Sequence, residues 1–378
     1  MTSIRCGAPL LDVCFRSGNG SDSSSSSSSS LRSGSSDLAA GLVSGVVELW
    51  SASKEGTHEK RLHIDAHEQS VRCVAFAGDS GKLLCSGSLD KSLLFSDIGA
   101  NGKEAWKQAG AHDAGLNCAT RLSDNIVATG DEEGDVKIWD IRQKKCTSEI
   151  SEHSDIVYSI ETYEKKDTKT LFSTSGDGTL GVHELRMNGK CSFVRASDDQ
   201  EDELLSLQVI KGGKKVVVGT QEGILDIWSW GTWGDISDRM PGHPSSIDCM
   251  VKIDEETVLT GSSDGYIRVV NFFPHKLLYW FGGSDADDND MEEAFPVERM
   301  SLSKDCNLLA SIAHDESIKL WNVDFLFDEG DEGVQDAEKE AESDDDSDDE
   351  PAAKRKRTKG KGLDQVQLKK SNFFDDMM

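Results

Sequence analysis

Residues 127–141, VATGDEEGDVKIWDI, decide the fold. An apolar run leads into the acidic, glycine-containing turn DEEGD, and a second apolar run closes with Trp139 and Asp140. Short apolar runs on both sides of a Gly/Asp turn are typical of two paired antiparallel strands. The stretch therefore predicts a tight hairpin that ends in the dipeptide Trp-Asp.

Similar units recur along most of the chain. The position of Trp139 is taken in the other copies by Trp50, Ser96, His183, Trp228, Val270 and Trp321. The intervals run from 42 residues, between Trp228 and Val270, to 51, between Val270 and Trp321. A short apolar strand also precedes each unit, as in LLDVCF at 10–15. Repeats of roughly 40–45 residues with four strands are typical of WD repeats. We therefore predict an all-β fold, a seven-bladed WD40 β-propeller over residues 1–327.

Two insertions and one closing strand complete this prediction. A Ser-rich stretch at 17–36 lengthens the first copy and an acidic stretch at 284–293 lengthens the last, and both are predicted to be surface loops. A propeller closes when one end of the chain adds a strand to the last blade. Residues 3–6 and residues 325–327 are the two candidates for that strand, and the sequence leaves the choice open.

Polar residues at fixed places in the repeat predict a hydrogen-bond network within the blades. The pattern resembles the His–Ser/Thr–Asp–Trp chain of WD blades, in which a buried histidine is oriented by a turn carboxylate, so these residues receive a structural role. The predicted members are His67, Ser86, Asp90, His112, Thr129, Glu133, Trp139, His153, Ser173, Asp177, His243, Thr260, Asp264, Ser311, Asp315 and Trp321.

Charge and composition limit the possible partners. The net charge is −28, of which residues 1–327 carry −20 and residues 328–378 carry −8. An acidic body repels phosphate, so RNA contact is expected at most through the basic part of the tail. The nine cysteines are scattered and form no C-x-x-C pair, which indicates reduced thiols in an intracellular protein. No apolar run is long enough for a membrane span or a signal peptide.

Enzymatic chemistry is not expected. The sequence contains none of the common nucleotide-binding, hydrolase or zinc-peptidase motifs. Asp131, Glu133 and Asp135 imitate the start of a calcium loop, but Val136 and Arg142 stand where such a loop needs Gly and Glu. The four histidines of the repeat lie on different blades and cannot share an ion. We predict no catalytic residue, no cofactor, no metal and no small-molecule substrate.

Two features outside the repeat pattern are candidates for protein binding. Trp139-Asp140-Ile141-Arg142 is a WD-x-R sequence, which resembles the motif by which some propellers dock the adaptor of cullin-4 ubiquitin ligases. Asp140 and Arg142 are its docking candidates, and a solvated arginine at a strand end is the alternative. Trp230 and Trp233 are either binding anchors or a cover for the edge of blade five.

Residues 328–378 are predicted to be a disordered tail. Its acidic part, 328–350, contains Ser343 and Ser347 in contexts that suit an acid-directed kinase. Its basic part, 354–361, predicts nuclear import or RNA contact. The import candidates are Lys354, Arg355, Lys356 and Arg357. Phe373 and Phe374 predict a short docking peptide.

Several stretches resemble one family. GKKVVVGTQEGILDIWSWGTWGDISDR at 213–239, TGSSDGYIRVVN at 260–271 and TSGDGTLGV at 174–182 are similar to the WD repeat-containing protein 55 family. The final KKSNFF is similar to that family's tail, including its fungal members. The likeness covers nearly the whole propeller and is strongest in blades four to six.

The resemblance implies a non-enzymatic nucleolar protein in ribosomal RNA production and ribosome assembly. Its expected partners are ribosome-assembly factors on pre-ribosomal particles, and we expect a monomer within a larger complex. The upper rim loops and the mouth of the central channel are the expected contact surface. The alternative is a substrate receptor of a cullin-4 type ubiquitin ligase that docks through Asp140 and Arg142.

Overall fold

A computed structural model describes residues 1–16, 35–165, 168–186, 189–283 and 295–327. These residues form seven four-stranded antiparallel sheets, which confirms the predicted seven-bladed β-propeller. The described part of the chain has no α-helix and two 3₁₀ turns, Asp79–Gly81 and Asp324–Leu326. The predicted tail at 328–378 and the acidic insertion at 284–293 lie outside the described residues.

The strands follow one another in a regular order. In chain order they are β1 (Thr2–Arg5), β2 (Leu10–Phe15), β3 (Ser35–Leu42), β4 (Val46–Ser53), β5 (His58–Asp65), β6 (Val71–Ala77), β7 (Leu83–Ser88), β8 (Leu93–Asp97), β9 (Lys103–Gln108), β10 (Leu116–Ser123), β11 (Ile126–Asp131), β12 (Val136–Asp140), β13 (Lys145–Ile150), β14 (Val157–Lys165), β15 (Thr168–Ser175), β16 (Leu180–Leu185), β17 (Cys191–Ala196), β18 (Leu204–Ile210), β19 (Lys215–Thr220), β20 (Ile224–Ser229), β21 (Asp238–Pro241), β22 (Ile247–Lys252), β23 (Thr257–Ser262), β24 (Tyr266–Asn271), β25 (Lys276–Gly282), β26 (Arg299–Leu302), β27 (Leu308–Ile312) and β28 (Ser317–Asn322).

Each blade takes consecutive strands from the channel outward. Blades one to six are β2–β5, β6–β9, β10–β13, β14–β17, β18–β21 and β22–β25, and blade seven is β26–β27–β28 with β1 outermost. The inner three strands of a blade are mostly buried because neighbouring blades cover both faces, as the entirely buried β11 illustrates. Outermost strands such as β5 are largely exposed. The propeller therefore has one apolar seam between each pair of neighbouring blades.

The ring is closed by the N-terminal strand. β1 pairs antiparallel with β28, with Thr2 opposite Leu320 and Arg5 opposite Ser317. Ile4 is 1% exposed and packs in the apolar cluster shared by blades seven and one. Of the two candidate segments, it is thus the N-terminal one that closes the ring, over Thr2–Arg5. Asp324–Leu326 of the other candidate forms a 3₁₀ turn beyond β28.

One predicted loop boundary is wrong by two residues. Ser35 and Ser36 belong to β3, where they pair with Ser53 and Ala52 of β4. Backbone pairing continues into the serines because β4 extends far enough to supply backbone N–H and C=O groups opposite them, and such pairing does not depend on the side chains. The rest of the predicted Ser-rich loop, residues 17–34, lies outside the described residues.

Adjacent blades approach so closely that a side chain is excluded at the contact. A Cβ built on Gly130 of β11 would lie 2.7 Å from Val157, the first residue of the next blade's inner strand. Polar bonds also cross the seams: Asp12 Oδ2 accepts the backbone N–H of Val74 at 2.7 Å, and Ser206 Oγ donates to the carbonyl of Ile247 at 2.8 Å. The innermost strands are thereby held in fixed positions around the channel.

Candidate interaction surface

The hydrogen-bond network is most complete in blade three. His112 Nδ1 lies 2.8 Å from Asp131 Oδ2, and His112 Nε2 lies 2.7 Å from Thr129 Oγ1. Trp139 Nε1 donates to the same hydroxyl at 2.8 Å. Every group is satisfied if His112 donates from Nδ1 to Asp131 and accepts at Nε2 from Thr129. The carboxylate is that of Asp131, so the predicted role of Glu133 is wrong.

Asp131 replaces Glu133 because of where each side chain points. Asp131 is the last residue of β11 and is fully buried, whereas Glu133 lies on the following turn and is exposed. Burial alone would raise the pKa of the Asp131 carboxyl. The hydrogen bonds from His112 and from the backbone N–H of Asp135 outweigh burial and hold the pKa below its usual range.

In blades two and four a hydroxyl joins the carboxylate to the histidine, beside a direct contact of 3.3 Å between the histidine Nδ1 and the carboxylate. His67 Nε2 lies 2.9 Å from Ser86 Oγ, and His67 Nδ1 lies 2.8 Å from Ser92 Oγ. Ser92 in turn donates to Asp90 Oδ1 at 2.6 Å. Blade four repeats this arrangement with His153, Ser173, Thr179 and Asp177. The bridging hydroxyl always stands two residues after the carboxylate.

Blade four also contains a second histidine at the tryptophan position. His183 Nε2 lies 3.0 Å from Ser173 Oγ, which is the place that an indole N–H takes in blade three. Burial lowers the pKa of His183 to about 3, so the ring is neutral at physiological pH. A neutral imidazole therefore substitutes for the indole in this blade.

Blade six brings together only part of the network. His243 Nε2 lies 2.8 Å from Thr260 Oγ1, but its buried Nδ1 has no hydrogen-bond partner in the described part of the chain. Asp264 is bound instead by the Arg268 guanidinium, and the residue two positions later is Tyr266, which cannot bridge as Ser92 does. Burial lowers the pKa of His243 to about 4.

Blades one, five and seven lack the histidine. In blade seven Trp321 Nε1 donates to Ser311 Oγ at 2.8 Å, and Asp315 accepts from Ser317 Oγ at 2.8 Å. In blade five Val218 replaces the hydroxyl, and the buried Trp228 N–H is left without a partner among the described residues. The network therefore positions the turns of one face of the ring.

That face, called here the upper face, carries two sets of loops. One set leads from the outermost strand of a blade into the innermost strand of the next, and the other joins the second strand of each blade to the third. In the described residues these loops contain nineteen Asp and Glu but one Lys and no Arg, Lys91. The described loops of the opposite, lower face contain eight Asp and Glu and ten Lys and Arg. The acidic charge of the propeller is thus concentrated on one face.

The mouth of the channel on the upper face is shaped by repeated β-bulges. The pairing of the two inner strands shifts register at the second residue of the inner strand in each of the first six blades. The unpaired residues are Leu11, Arg72, Asn117, Tyr158, Leu205 and Asp248, and Glu298 precedes β26 at the corresponding place in blade seven. Bulges re-aim side chains, and four of these residues, Leu11, Arg72, Asn117 and Asp248, line the mouth together with Glu298.

A cavity of about 300 Å³ lies within this ring, lined by residues of blades one, two, three, six and seven. Asn117 Nδ2 donates to the carbonyl of Val157 at 3.0 Å, so its Oδ1 is turned away from the seam. Asp248 Oδ1 accepts from Ser246, and burial raises the pKa of Asp248. Arg72 donates to Glu132 Oε1 at 3.1 Å. Tyr158 donates to Glu203 Oε2 at 3.0 Å, and burial together with Glu203 raises the pKa of Tyr158 to about 12.

The WD-x-R residues differ in their availability. Asp140 is 1% exposed and accepts hydrogen bonds from the backbone N–H groups of Arg142 and Gln143, so it caps the turn after β12. The Arg142 side chain is 65% exposed and lies 3.4 Å from Asp140 on the lower face. Of the two docking candidates, Arg142 is therefore exposed and Asp140 is buried.

The two tryptophans of blade five are largely taken up by packing. Trp233 is 9% exposed, and its ring centroid lies 5.3 Å from that of Phe172 in blade four. Trp230 lies 5.3 Å from Trp233 and has the Lys165 ammonium 4.7 Å above its ring. This packing fits a cover for the edge of blade five better than it fits binding anchors.

Several predictions fall outside the described residues. They concern Lys354, Arg355, Lys356 and Arg357, the tail serines, and Phe373 with Phe374. Within the described ranges, no cluster of three or more His, Cys, Asp and Glu side chains is placed to hold a metal ion. No helix in that part of the chain has the length and apolar character to cross a membrane.

Comparisons with known proteins identify similar chains. Residues 24–326 match the family described as WDR55. WD repeat-containing protein 55 of Arabidopsis thaliana is 35% identical over 288 residues, which cover 76% of this chain and 77% of that protein. WD repeat-containing protein JIP5 of Cryptococcus neoformans is 38% identical over 284 residues, with 75% and 72% covered. Human WD repeat-containing protein 55 is 33% identical over 287 residues, with 76% and 71% covered.

Proposed function

This chain belongs to the WDR55 family, and from that premise we propose that it is a nucleolar scaffold without enzymatic activity that holds assembly factors on ribosomal precursors. A WD-repeat propeller binds other proteins through its loops. The observation that carries the proposal is the match to this family over nearly the whole propeller, since ribosomal RNA production is the role that the likeness implies.

The upper face supports a protein-binding role. Its loops are anchored to buried histidines and carboxylates, so a partner meets a surface that is already ordered, which reduces the entropic cost of association. A pre-formed recess at the channel mouth adds a place for a projecting side chain. In this role the protein acts as a monomer within a larger complex.

Affinity purification of a tagged full-length chain from nuclear extract, followed by identification of bound proteins and RNA, tests the proposal. Ribosome-assembly factors together with precursor ribosomal RNA are the expected result. An RNase-treated half of the same sample separates proteins bound directly from those bridged by RNA. Recovery of neither assembly factors nor precursor RNA would overturn the ribosomal role.

Nuclear import through the basic tail is part of this proposal. Replacement of Lys354, Arg355, Lys356 and Arg357 by alanine is expected to exclude a tagged chain from the nucleus, because importins bind clustered cations. Alanine at Lys369 and Lys370, also basic tail residues, is the matched control. If the four-residue variant stays nuclear, the import assignment is wrong.

The exposure of Arg142 favours a second candidate function, docking to the adaptor of a cullin-4 type ubiquitin ligase. Arg142→Glu is expected to abolish adaptor binding if this function is correct. Arg186→Glu is the matched control, since Arg186 follows the third strand of the next blade and its side chain is 68% exposed. Equal adaptor binding by both variants and the wild type would remove this candidate.

A further inference from the structure

We infer that the channel mouth and the surrounding upper face bind an extended, lysine- and arginine-rich segment of a partner protein, with one cationic side chain inserted into the mouth. The inference deepens the proposed scaffold role, on which it rests, by stating the chemistry of the partner. Three independent observations support it: the position of the charge, the unpaired acceptors of the mouth, and the apolar residues at its border.

The charge is divided between the faces rather than spread evenly. With nineteen acidic residues against one lysine in its described loops, the upper face attracts cations, whereas the lower face is close to neutral. Exposed acids without side-chain partners in the described structure lie on three consecutive blades, as Glu133, Glu152 and Glu222. They extend around the mouth, which suits a linear basic segment better than a single ion.

The mouth itself offers hydrogen-bond acceptors that nothing in the described chain uses. Asn117 is 9% exposed and lines the cavity, and its Oδ1 accepts no hydrogen bond from the described residues while its Nδ2 is held by Val157. Asp248 Oδ2 is likewise without a partner there. Both residues line the cavity, so a donor from a partner would take the place of water at these two oxygens.

The two cations of the mouth are balanced within the ring and do not repel such a ligand strongly. Arg72 is paired with Glu132 of the next blade. Arg299 lies near the half-buried Asp12 and Asp248, and it lowers the pKa of each against the larger effect of desolvation. The buried Arg72 Nε has no partner in the described part of the chain.

Apolar contacts at the border complete a site for a peptide. Leu11 and Pro296 line the cavity, and Phe295 beside them is 50% exposed. A lysine or arginine side chain brings a long aliphatic stem as well as a charge. The mouth therefore provides an apolar wall for the stem and acceptors for the charged end.

The test measures fluorescence anisotropy of a labelled, unstructured peptide of alternating arginine and glycine with the full-length chain. We expect binding that weakens as salt is added, and no binding of a peptide with glutamate in place of arginine. Glu133→Lys with Glu222→Lys on the upper face is expected to weaken binding roughly tenfold. The matched control, Glu55→Lys with Asp235→Lys on the lower face, makes the same change in net charge and should stay within about twofold of wild type.

A substitution at the channel mouth tests that site separately from the acidic loops of the upper face. Asn117→Leu keeps the side-chain size and the net charge but removes the free acceptor, and it is expected to weaken the arginine peptide roughly fivefold. Circular dichroism and thermal unfolding establish whether the variant is folded, and Asp248→Asn is a second variant with less effect on packing. Equal loss in the upper and lower double variants, or preference for the acidic peptide, would overturn the inference.

Two further outcomes separate the possible occupants. If alanine at Lys354, Arg355, Lys356 and Arg357 tightens peptide binding tenfold or more, the chain's own tail occupies the face and a partner in trans is excluded. Unchanged binding by that variant supports a partner. If the upper-face variants lose the peptide but still co-purify with ribosomal precursors, this inference fails while the proposed function stands.

Discussion

Val218 interrupts a hydrogen bond that equivalent residues make in other blades. Thr129 and Ser311 each accept the N–H of the tryptophan ten residues later, at 2.8 Å, but Val218 leaves the Trp228 N–H unpaired. Val218→Thr adds the missing hydroxyl at nearly constant volume. We expect it to raise the free energy of unfolding by about 1 kcal/mol, measured by urea denaturation.

The neighbouring residue is the matched control for that substitution. Val217 is also fully buried, but it points to the opposite face of β19, away from Trp228. Val217→Thr buries a hydroxyl without a partner and is expected to destabilise by about 1–3 kcal/mol. Equal loss of stability in both variants would contradict the assignment of the unpaired indole.

Asp131 should stabilise the protein through its ionised form. Because its pKa lies below the usual range in the folded state, its contribution is present above its unfolded pKa of about 3.9 and is lost as the pH falls through the folded pKa. Asp131→Asn is expected to cost about 1–3 kcal/mol at pH 7, and the deficit should shrink below about pH 4. Urea denaturation at several pH values measures it.

Glu133→Gln is the control, because spacing alone assigns Glu133 the same role. Glu133 is exposed and makes no side-chain bond in the described structure, so its substitution should change stability by no more than about 0.5 kcal/mol. A larger effect of Glu133→Gln than of Asp131→Asn would restore the role that the spacing predicted.

Some contacts of the blade hydrogen-bond network follow from the spacing of the repeat, and others do not. The period of the repeat located His112, Thr129 and Trp139, which do meet. It could not decide between Asp131 and Glu133, since both lie within reach in sequence and only the end of β11 determines which one points inward. Nor could it show that Arg268 binds Asp264, because that contact depends on the twist of a particular hairpin.

At the scale of strands, β1 controls closure of the ring. Ile4 fills the seam between blades seven and one, so Ile4→Ala is expected to lower the free energy of unfolding by about 2–5 kcal/mol. Hydrogen exchange of the β28 amides should accelerate with it, since β1 is the strand that covers β28. Arg5→Ala, at the exposed neighbouring residue, should leave both quantities near wild type. If β28 is equally protected in all three proteins, closure does not depend on β1.

Element boundaries were predictable to different degrees. The hairpins around the Trp position have strong signals, namely apolar runs and Gly/Asp turns, and they were predicted in all seven blades. The bulges at the starts of six inner strands have no such signal, because an extra residue changes the pairing without changing the apolar pattern. The ring of side chains at the mouth was consequently not predicted from the sequence.

At the scale of the whole molecule, total charge and its arrangement are different properties. The sequence showed a body of charge −20 but not that the acids gather on one face. That arrangement follows from topology, because both sets of loops rich in acids return to the same side of every blade. The number of blades could be predicted by counting the repeats. The charge difference between the two faces could not, because it depends on which loops share a face.

Charged residues on the innermost strands affect the stability of the ring. Burial raises the pKa of Asp12 to about 6, with Arg299 opposing that rise. An acid whose folded pKa is raised stabilises below its unfolded pKa and loses that contribution as the pH rises through the folded value. Arg299→Met removes the opposing charge, so the pKa of Asp12 should rise further. The deficit in unfolding free energy should therefore be larger at about pH 8 than at about pH 5, by urea denaturation at both values.

Other groups in the channel do not obscure this effect. Burial raises the pKa of Cys118 to about 12 and that of Cys249 further, so both thiols stay neutral across the window, and Asp248, whose pKa is also raised by burial, changes stability in the same direction as Asp12. Lys304→Met, at an exposed residue of the same blade, controls for net charge and should show no such pH dependence. Adding Asp12→Asn to Arg299→Met should remove most of the pH dependence of the deficit in unfolding free energy. A deficit of equal size at both pH values would mean that Arg299 acts by packing alone, and that the charges along the channel do not contribute to the stability of the ring.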